Sequence, residues 1–392
     1  MVLNLKGSDG DPALARRLYD LTLANIHTLK GMSAATGIDC ELEQNGALTV
    51  LRTEAEARDA KASTADSGNL PIVFWDRERT ASALGTRVYT GALFDPGAGQ
   101  VHLGKLVRMW KSAAEAGGVN IFEQTPVVRI SEGPVHVLSA RDGHSVCAPM
   151  LILATNAYTS KLGYLRNAVA PIHNYVGITP PLAPNLLASI GWNVRIPFND
   201  SLREVYYSGQ TQDGRIHFGG GPVDYGFNNE VGAPPNAPRR FEGLHREFSR
   251  VFPSLANIPF EIQWSGLVDV SLNQQPAVGQ IGRHKNILYA IGYSGEGVNL
   301  TSVFGRILAD LAAGRRNEWE WCPFSIAFPR TYPTNRSAGS AYRLTWLIRA
   351  WLGYEYPLQA VRSRADGELS PETVHNPVHN SRFEKRINDF GI

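Results

Sequence analysis

Gly292-Tyr293-Ser294-Gly295-Glu296-Gly297-Val298-Asn299-Leu300 lies between two apolar patterns of different period. Before it, Asn286-Ile287-Leu288-Tyr289-Ala290-Ile291 reads as a buried strand. After it, Leu300, Val303, Phe304, Ile307, Leu308 and Leu311 recur at the spacing of one helical face. Three glycines therefore occupy a strand-to-helix turn. Glycine lets backbone approach a ligand closely, and a helix start offers unpaired N–H groups and a positive dipole end. Such a turn suits an electron-rich or anionic group. Taken alone, it is equally well read as a tight turn with no ligand.

Working outward, Asp11-Pro12 opens a helix with a stripe of Leu14, Leu18, Leu21, Ile26 and Leu29 to about Met32. Gly46–Leu51 reads as a strand, and residues 52–70 as helix or loop. From Gly91 the pattern becomes α/β. Leu103, Leu106, Val107, Trp110, Ala113 and Ala114 form a helical face stopped by Gly117-Gly118. Strands are expected at 120–123 and 127–130, then a hairpin around Asp142-Gly143, then an apolar strand at 150–153 ending in Ala154-Thr155-Asn156. Residues 166–270 alternate short β-rich runs with Pro, Gly and Asn clusters, and Asp213-Gly214 marks a hairpin. The expectation is an α/β protein with a β-rich, mostly antiparallel second domain.

Composition narrows the function. The chain has 392 residues, enough for two domains, with 43% hydrophobic and 19% charged residues. A net charge of +2 gives no reason to invoke nucleic acid or a membrane surface. Three scattered cysteines, without a CxxC, suggest neither a disulfide framework nor a metal site. They fit a reducing compartment, so a cytoplasmic location is expected. The N-terminus lacks signal-peptide character, and no apolar run is long enough to span a bilayer.

These landmarks together, over roughly residues 10–316, resemble the D-amino-acid oxidase-like flavoproteins, which include glycine, sarcosine and γ-glutamylputrescine oxidases. Members typically read GYSGHGV at the C-terminal turn, and this chain has Glu296 in place of that His. The family also has a W-x-G…P-x-(I/V)-G passage, here Trp264-Ser265-Gly266 and Pro276-Ala277-Val278-Gly279. The resemblance implies an FAD-dependent oxidoreductase acting on the C–N bond of a small-molecule amine. It places Val127, Ala154, Thr155, Asn156, Gly279, Gly292, Gly295, Glu296, Gly297, Val298 and Asn299 near the cofactor. Tyr206, Tyr207 and Trp264 are candidates for the substrate side, and one of the two tyrosines must face the core if the strand alternates. No catalytic side chain is assigned, because hydride transfer to flavin from a neutral amine demands no acid or base.

The expected domains are FAD-binding at 91–165 and 271–316, substrate or cap at 1–90 and 166–270, and a Trp-rich extension at 317–392.

One part is missing. A dinucleotide site should open with strand–GxGxxG–helix and an acidic residue about 20 positions on. The nearest candidate, Gly219-Gly220-Gly221-Pro222-Val223-Asp224, has Asp in the sixth place and follows a hairpin strand. The chain therefore resembles a family member with an N-terminally truncated Rossmann domain. Its own grip on FAD is expected to be weak, and a missing N-terminal fragment is a candidate partner. The alternative is a cofactor-free remnant or a binding module of the same fold.

Overall fold

The computed structural model describes residues 12–65, 70–202, 204–234, 236–315, 319–322 and 324. The larger assembly is a nine-stranded, mostly antiparallel sheet. Its backbone is the long pair Val169–Ile178 and Ile262–Ser271, in register from Val169↔Ser271 to Ile178↔Ile262. Strands Ile216–Gly220, Tyr206–Gln210, Phe198–Asp200, Ala47–Leu51, Gly91–Asp95 and Val73–Asp76 continue it in that order. Only the Ala47–Leu51 and Phe198–Asp200 pairing is parallel among them. Helix Ala237–Val251 packs Leu244, Phe248 and Val251 onto one face, where Tyr175, Ile216, Phe218 and Trp192 complete the core.

A smaller sheet carries the α/β character. Leu151–Leu153 runs parallel to Ile287–Ile291, which pairs antiparallel with Ala277–Ile281. All five residues of Ile287–Ile291 are buried, as the unbroken apolar run predicts. The expected helical face from Leu300 to Leu311 is buried residue for residue in helix Gly297–Ala312. Trp319 and Phe324 close over it, with the indole of Trp319 donating to Asp310 at 2.7 Å. Residues 317–318, 323 and 325–392 of the Trp-rich extension lie outside the described residues.

The expected partition shifts at two places. Gly91–Asp95 belongs to the large sheet through its register with Ala47–Leu51. Helix Pro12–Thr36 joins the α/β side: Leu18 enters the core around Leu300 and Phe304, and Asn25 donates to the Asn299 side chain at 2.5 Å.

Two local expectations also fail. No strand forms at 120–123, and Phe122 is 70% exposed. In the preceding helix, Leu103–Ala116, Leu106 and Met109 are buried but Val107 is 66% exposed. A strand exists only by pairing, and among the described residues none pairs with 120–123. The small sheet is open at Leu151–Leu153, which among the described residues pairs on one side only and leaves Ile152 43% exposed. Parallel sheets are normally buried on both faces and edges of this kind template self-association. The isolated chain is therefore expected to oligomerise, and Ile152→Lys to shift it toward monomer. Light scattering coupled to size exclusion checks this; a wild-type monomer at high concentration would refute it.

Candidate cofactor and substrate site

Ile287–Ile291 and Leu151–Leu153 are parallel neighbours, so their carboxyl ends point the same way. The first runs into Gly292 and the second into Ala154-Thr155-Asn156. Two motifs more than a hundred residues apart in sequence thus lie side by side at one edge of the sheet. The carboxyl edge of a parallel sheet is where open α/β folds hold ligands.

Gly292, at φ 80°, carries no Cβ because one would sit 2.9 Å from the Cβ of Ser271. Gly295, at φ 96°, differs: a Cβ there would meet nothing within 4 Å. Its backbone is bare toward open space, as close approach by a planar ligand requires. Ser294 also lies in the left-handed region, at φ 51°. Its hydroxyl accepts from the Ser271 amide at 3.2 Å, and its amide donates to the Asp269 carbonyl at 3.1 Å. Glu296 precedes the first helical residue, Gly297, and Val298 is exposed beside it.

The residue that holds this turn is Asp269, which residue types and spacing did not single out. Its carboxylate accepts from the Gly292 amide at 2.6 Å and the Tyr293 amide at 3.1 Å. It is 1% exposed, and burial pushes its carboxyl up to about 6 against the two amides that favour the charged form. A lone acid in a β-rich run carries no sequence signal; only the fold brings it behind the turn.

On the other strand end, Ala154 is exposed and Thr155 exchanges a hydroxyl hydrogen bond with Thr159 at 2.8 Å. Asn156, at φ 47°, donates to the Leu267 carbonyl at 3.3 Å, while its Oδ1 is buried without a partner. Val127 begins the meander Val127–Ser131, His136–Ala140, Ser145–Ala148, a separate sheet. Gly279 lies inside the small sheet, where a Cβ would stand 2.4 Å from the Tyr289 hydroxyl; its glycine serves packing.

A cavity of about 250 Å³ adjoins the turn, between helix Pro12–Thr36, the loop around Gly97–Val101 and residues Gly295, Glu296, Val298 and Asn299. It holds three carboxylates, and no Lys, Arg or His is among its lining residues. Asp95 accepts from the Tyr19 hydroxyl at 2.7 Å, and Glu43 pairs with Arg195. Glu296 faces the opening with no ion-pair partner among the described residues, and desolvation by the surrounding protein raises its carboxyl above the usual range.

Gln100 carries the cavity over to the large sheet, donating to the Gln210 carbonyl at 3.0 Å. That sheet face presents Tyr207, His217, Asn174 and Trp264, placed together by the registers Tyr207↔Gly219, His217↔Ile178 and Trp264↔Val176. Tyr207 accepts from Asn174 at 3.3 Å. Burial pushes the Tyr207 hydroxyl up to about 12 and the His217 imidazole down to about 4, so both are neutral near pH 7. Tyr206 points the other way, 5.8 Å from the ring of Phe218, on the helix side. Alternation thus separates the two adjacent tyrosines. Arg283 is exposed in the hairpin at the far end of Ile287–Ile291 from the turn, and Arg203 lies outside the described residues.

A glycine-backed helix start at the carboxyl edge of a parallel sheet, with a cavity between it and a large antiparallel sheet, fits a cofactor-dependent enzyme. The family description for FAD dependent oxidoreductases (DAO) matches residues 5–311. The chain belongs to that family, whose cofactor is FAD.

Among curated relatives, it is 30% identical over 312 residues to a probable oxidoreductase, OrdL, of Haemophilus influenzae, covering 76% of this chain and 68% of the relative. It is 27% identical to the gamma-glutamylputrescine oxidoreductase of Escherichia coli K12, covering 71% of this chain and 63% of that protein. The fold matches the crystal structure of glycine oxidase from Geobacillus kaustophilus with a TM-score of 0.67 at 20% identity, over 82% of this chain and 85% of the other. Among the described residues no helix is long and apolar enough to cross a membrane.

Proposed function

We propose that the chain oxidises the C–N bond of a small amine and discriminates against free α-amino acids. The observation that carries this reading is the acidic cavity beside the glycine turn, without a cation among its lining residues. The carboxylate of an α-amino acid is best gripped by a guanidinium, through paired hydrogen bonds. Here it would meet Glu296 and Asp95 instead, Glu43 being held by Arg195, while an ammonium would be drawn in. The Escherichia coli relative's name, a gamma-glutamylputrescine oxidoreductase, agrees with an amine substrate.

When bound, FAD supplies the acceptor for the hydride from the carbon next to nitrogen. The chain's own residues then have distinct tasks. The bare backbone from Gly295 to Asn299 and the start of helix Gly297–Ala312 would face the flavin, and the helix dipole there favours added negative charge. Trp264 and Tyr207, on one face of the large sheet, would form the opposing wall, and neutral His217 on that face adds no positive charge to repel the ammonium.

The fit to FAD is partial. The turn and its open space suit the ring system, but no GxGxxG run occurs in the 392 residues to cradle the pyrophosphate. We propose that a further strand–glycine turn–helix unit completes the site. Support comes from the open edge at Leu151–Leu153 and the unpaired segment 120–123, which such a unit would pair and cover. The absent cradle also favours a second reading, a remnant of the fold that binds no cofactor.

With the glycine-rich unit supplied, peroxide release from D-amino acids, glycine, sarcosine and polyamine derivatives tests the assignment. Polyamine-type amines are expected to turn over fastest. Faster turnover of an α-amino acid than of every amine overturns the substrate class, and no flavin uptake with the unit present favours the remnant.

A further inference from the structure

On the helix side of the large sheet, away from the glycine turn, a second cavity of about 480 Å³ opens over helix Ala237–Val251. Because Leu244, Phe248 and Val251 face the core, the opposite side of that helix faces outward. Arg239, Gly243, Arg246 and Arg250 fall there at i, i+4, i+7 and i+11, one stripe along the cavity.

Not every arginine of this cluster is paired. Arg240 is committed to Asp224, at 2.7 Å and 3.2 Å, and to the Val223 carbonyl at 3.0 Å. Arg250 is committed to Glu247 through bonds of 2.9 Å and 2.8 Å. Glu247 also accepts from Arg52 at 2.7 Å, and Arg52 pairs with Asp200 as well. Arg239 and Arg246 are left with no ion-pair or hydrogen-bond partner among the described residues. Two carboxylates stand nearby: Glu242, exposed on the adjoining helix position, and Glu204, whose carboxyl burial pushes up.

The lining is shaped as well as charged. Gly243 sits in the middle of a helix, where glycine is the poorest helix former apart from proline, and no left-handed φ requires it. A Cβ there would make only an ordinary contact, 3.6 Å from Arg246 Nη2, so the position lies open beside that guanidinium. The floor is Tyr206, whose ring lies over Gly221: a Cβ on that glycine would meet the ring at 2.4 Å. The Gly219–Asp224 run, unsuited to a dinucleotide turn, thus builds one wall of this cavity and supplies Pro222 and the carboxylate that holds Arg240.

We propose that this cleft binds a small molecule carrying a diphosphate group, with Arg239 and Arg246 as its two anchors. Seven residues of helix separate the two by roughly 10 Å along the axis. That exceeds what one phosphate bridges comfortably, whereas a diphosphate lets each guanidinium take its own phosphoryl oxygens in a bidentate pair.

Calorimetric titration of the 392-residue chain with pyrophosphate, at ionic strength held constant with potassium chloride, tests this. One saturable site is expected, with a dissociation constant below about 1 mM. The double variant Arg239→Gln, Arg246→Gln should weaken it by roughly tenfold or more while its melting temperature stays unchanged, since both side chains are exposed. Parallel titrations with orthophosphate and adenosine diphosphate separate a free inorganic anion from a nucleotide as the source of the diphosphate. Absence of saturation, equal affinity for sulfate, or unchanged affinity in the double variant would overturn the proposal.

Discussion

Asp269→Leu is expected to destabilise the protein by about 3 kcal/mol and to release the glycine turn, because the buried amides of Gly292 and Tyr293 lose their only side-chain acceptor. Chemical denaturation measures the first effect, and amide hydrogen exchange at Gly292 to Ser294 the second. Full protection of those amides in the variant would show that the turn holds itself.

The carboxyl also makes stability depend on pH in a defined direction. Its folded value is raised from 3.8 to about 6. The folded state thus holds the proton more tightly than the unfolded chain. The associated stability is fully present below about pH 4 and is lost as pH rises through about 6, amounting to at most about 3 kcal/mol for this group. Asp269→Asn cannot titrate and should lack that slope. The variant's stability relative to wild type should therefore improve between pH 4 and pH 7. Parallel pH dependences for the two proteins would mean that Asp269 ionises at its ordinary value.

The second large effect concerns FAD itself. Purified alone, the 392-residue chain is expected to be nearly colourless, with a flavin-to-protein ratio far below one. Glycine-rich turns bring backbone N–H groups onto a pyrophosphate at a helix start, and much of a dinucleotide's binding free energy resides there. The turn at 292–299 offers such a helix start to the ring system only, through the open side of Gly295. Supplying a strand–GxGxxG–helix unit, fused or as a separate polypeptide, should raise flavin content toward one per chain. It should also quench the exposure of Ile152 and Phe122, whose surroundings it would cover. Stoichiometric flavin retained by the chain alone would require a pyrophosphate site elsewhere in it.

The sequence by itself determined the features that rest on local periodicity. The buried run Ile287–Ile291 and the helical face from Leu300 to Leu311 are legible because one turn of helix or one pleat of strand involves only near neighbours. The same holds for the β-rich hairpins at 206–220 and for the absence of a dinucleotide fingerprint.

Tertiary structure decided the rest. The 120–123 segment has strand-like residues but no described partner, and pairing, which local composition does not encode, makes a strand. Tyr206 and Tyr207 are identical in kind and adjacent, yet only the sheet's packing determines which of them meets the helix. Asp269 and Gly292 are 23 residues apart, and their hydrogen bond exists because the fold brings strand Ile262–Ser271 against the end of strand Ile287–Ile291. The acidic cavity gathers charges from distant segments onto one surface. Charge acts through space, so its sum at a site is fixed only when the chain has folded around it.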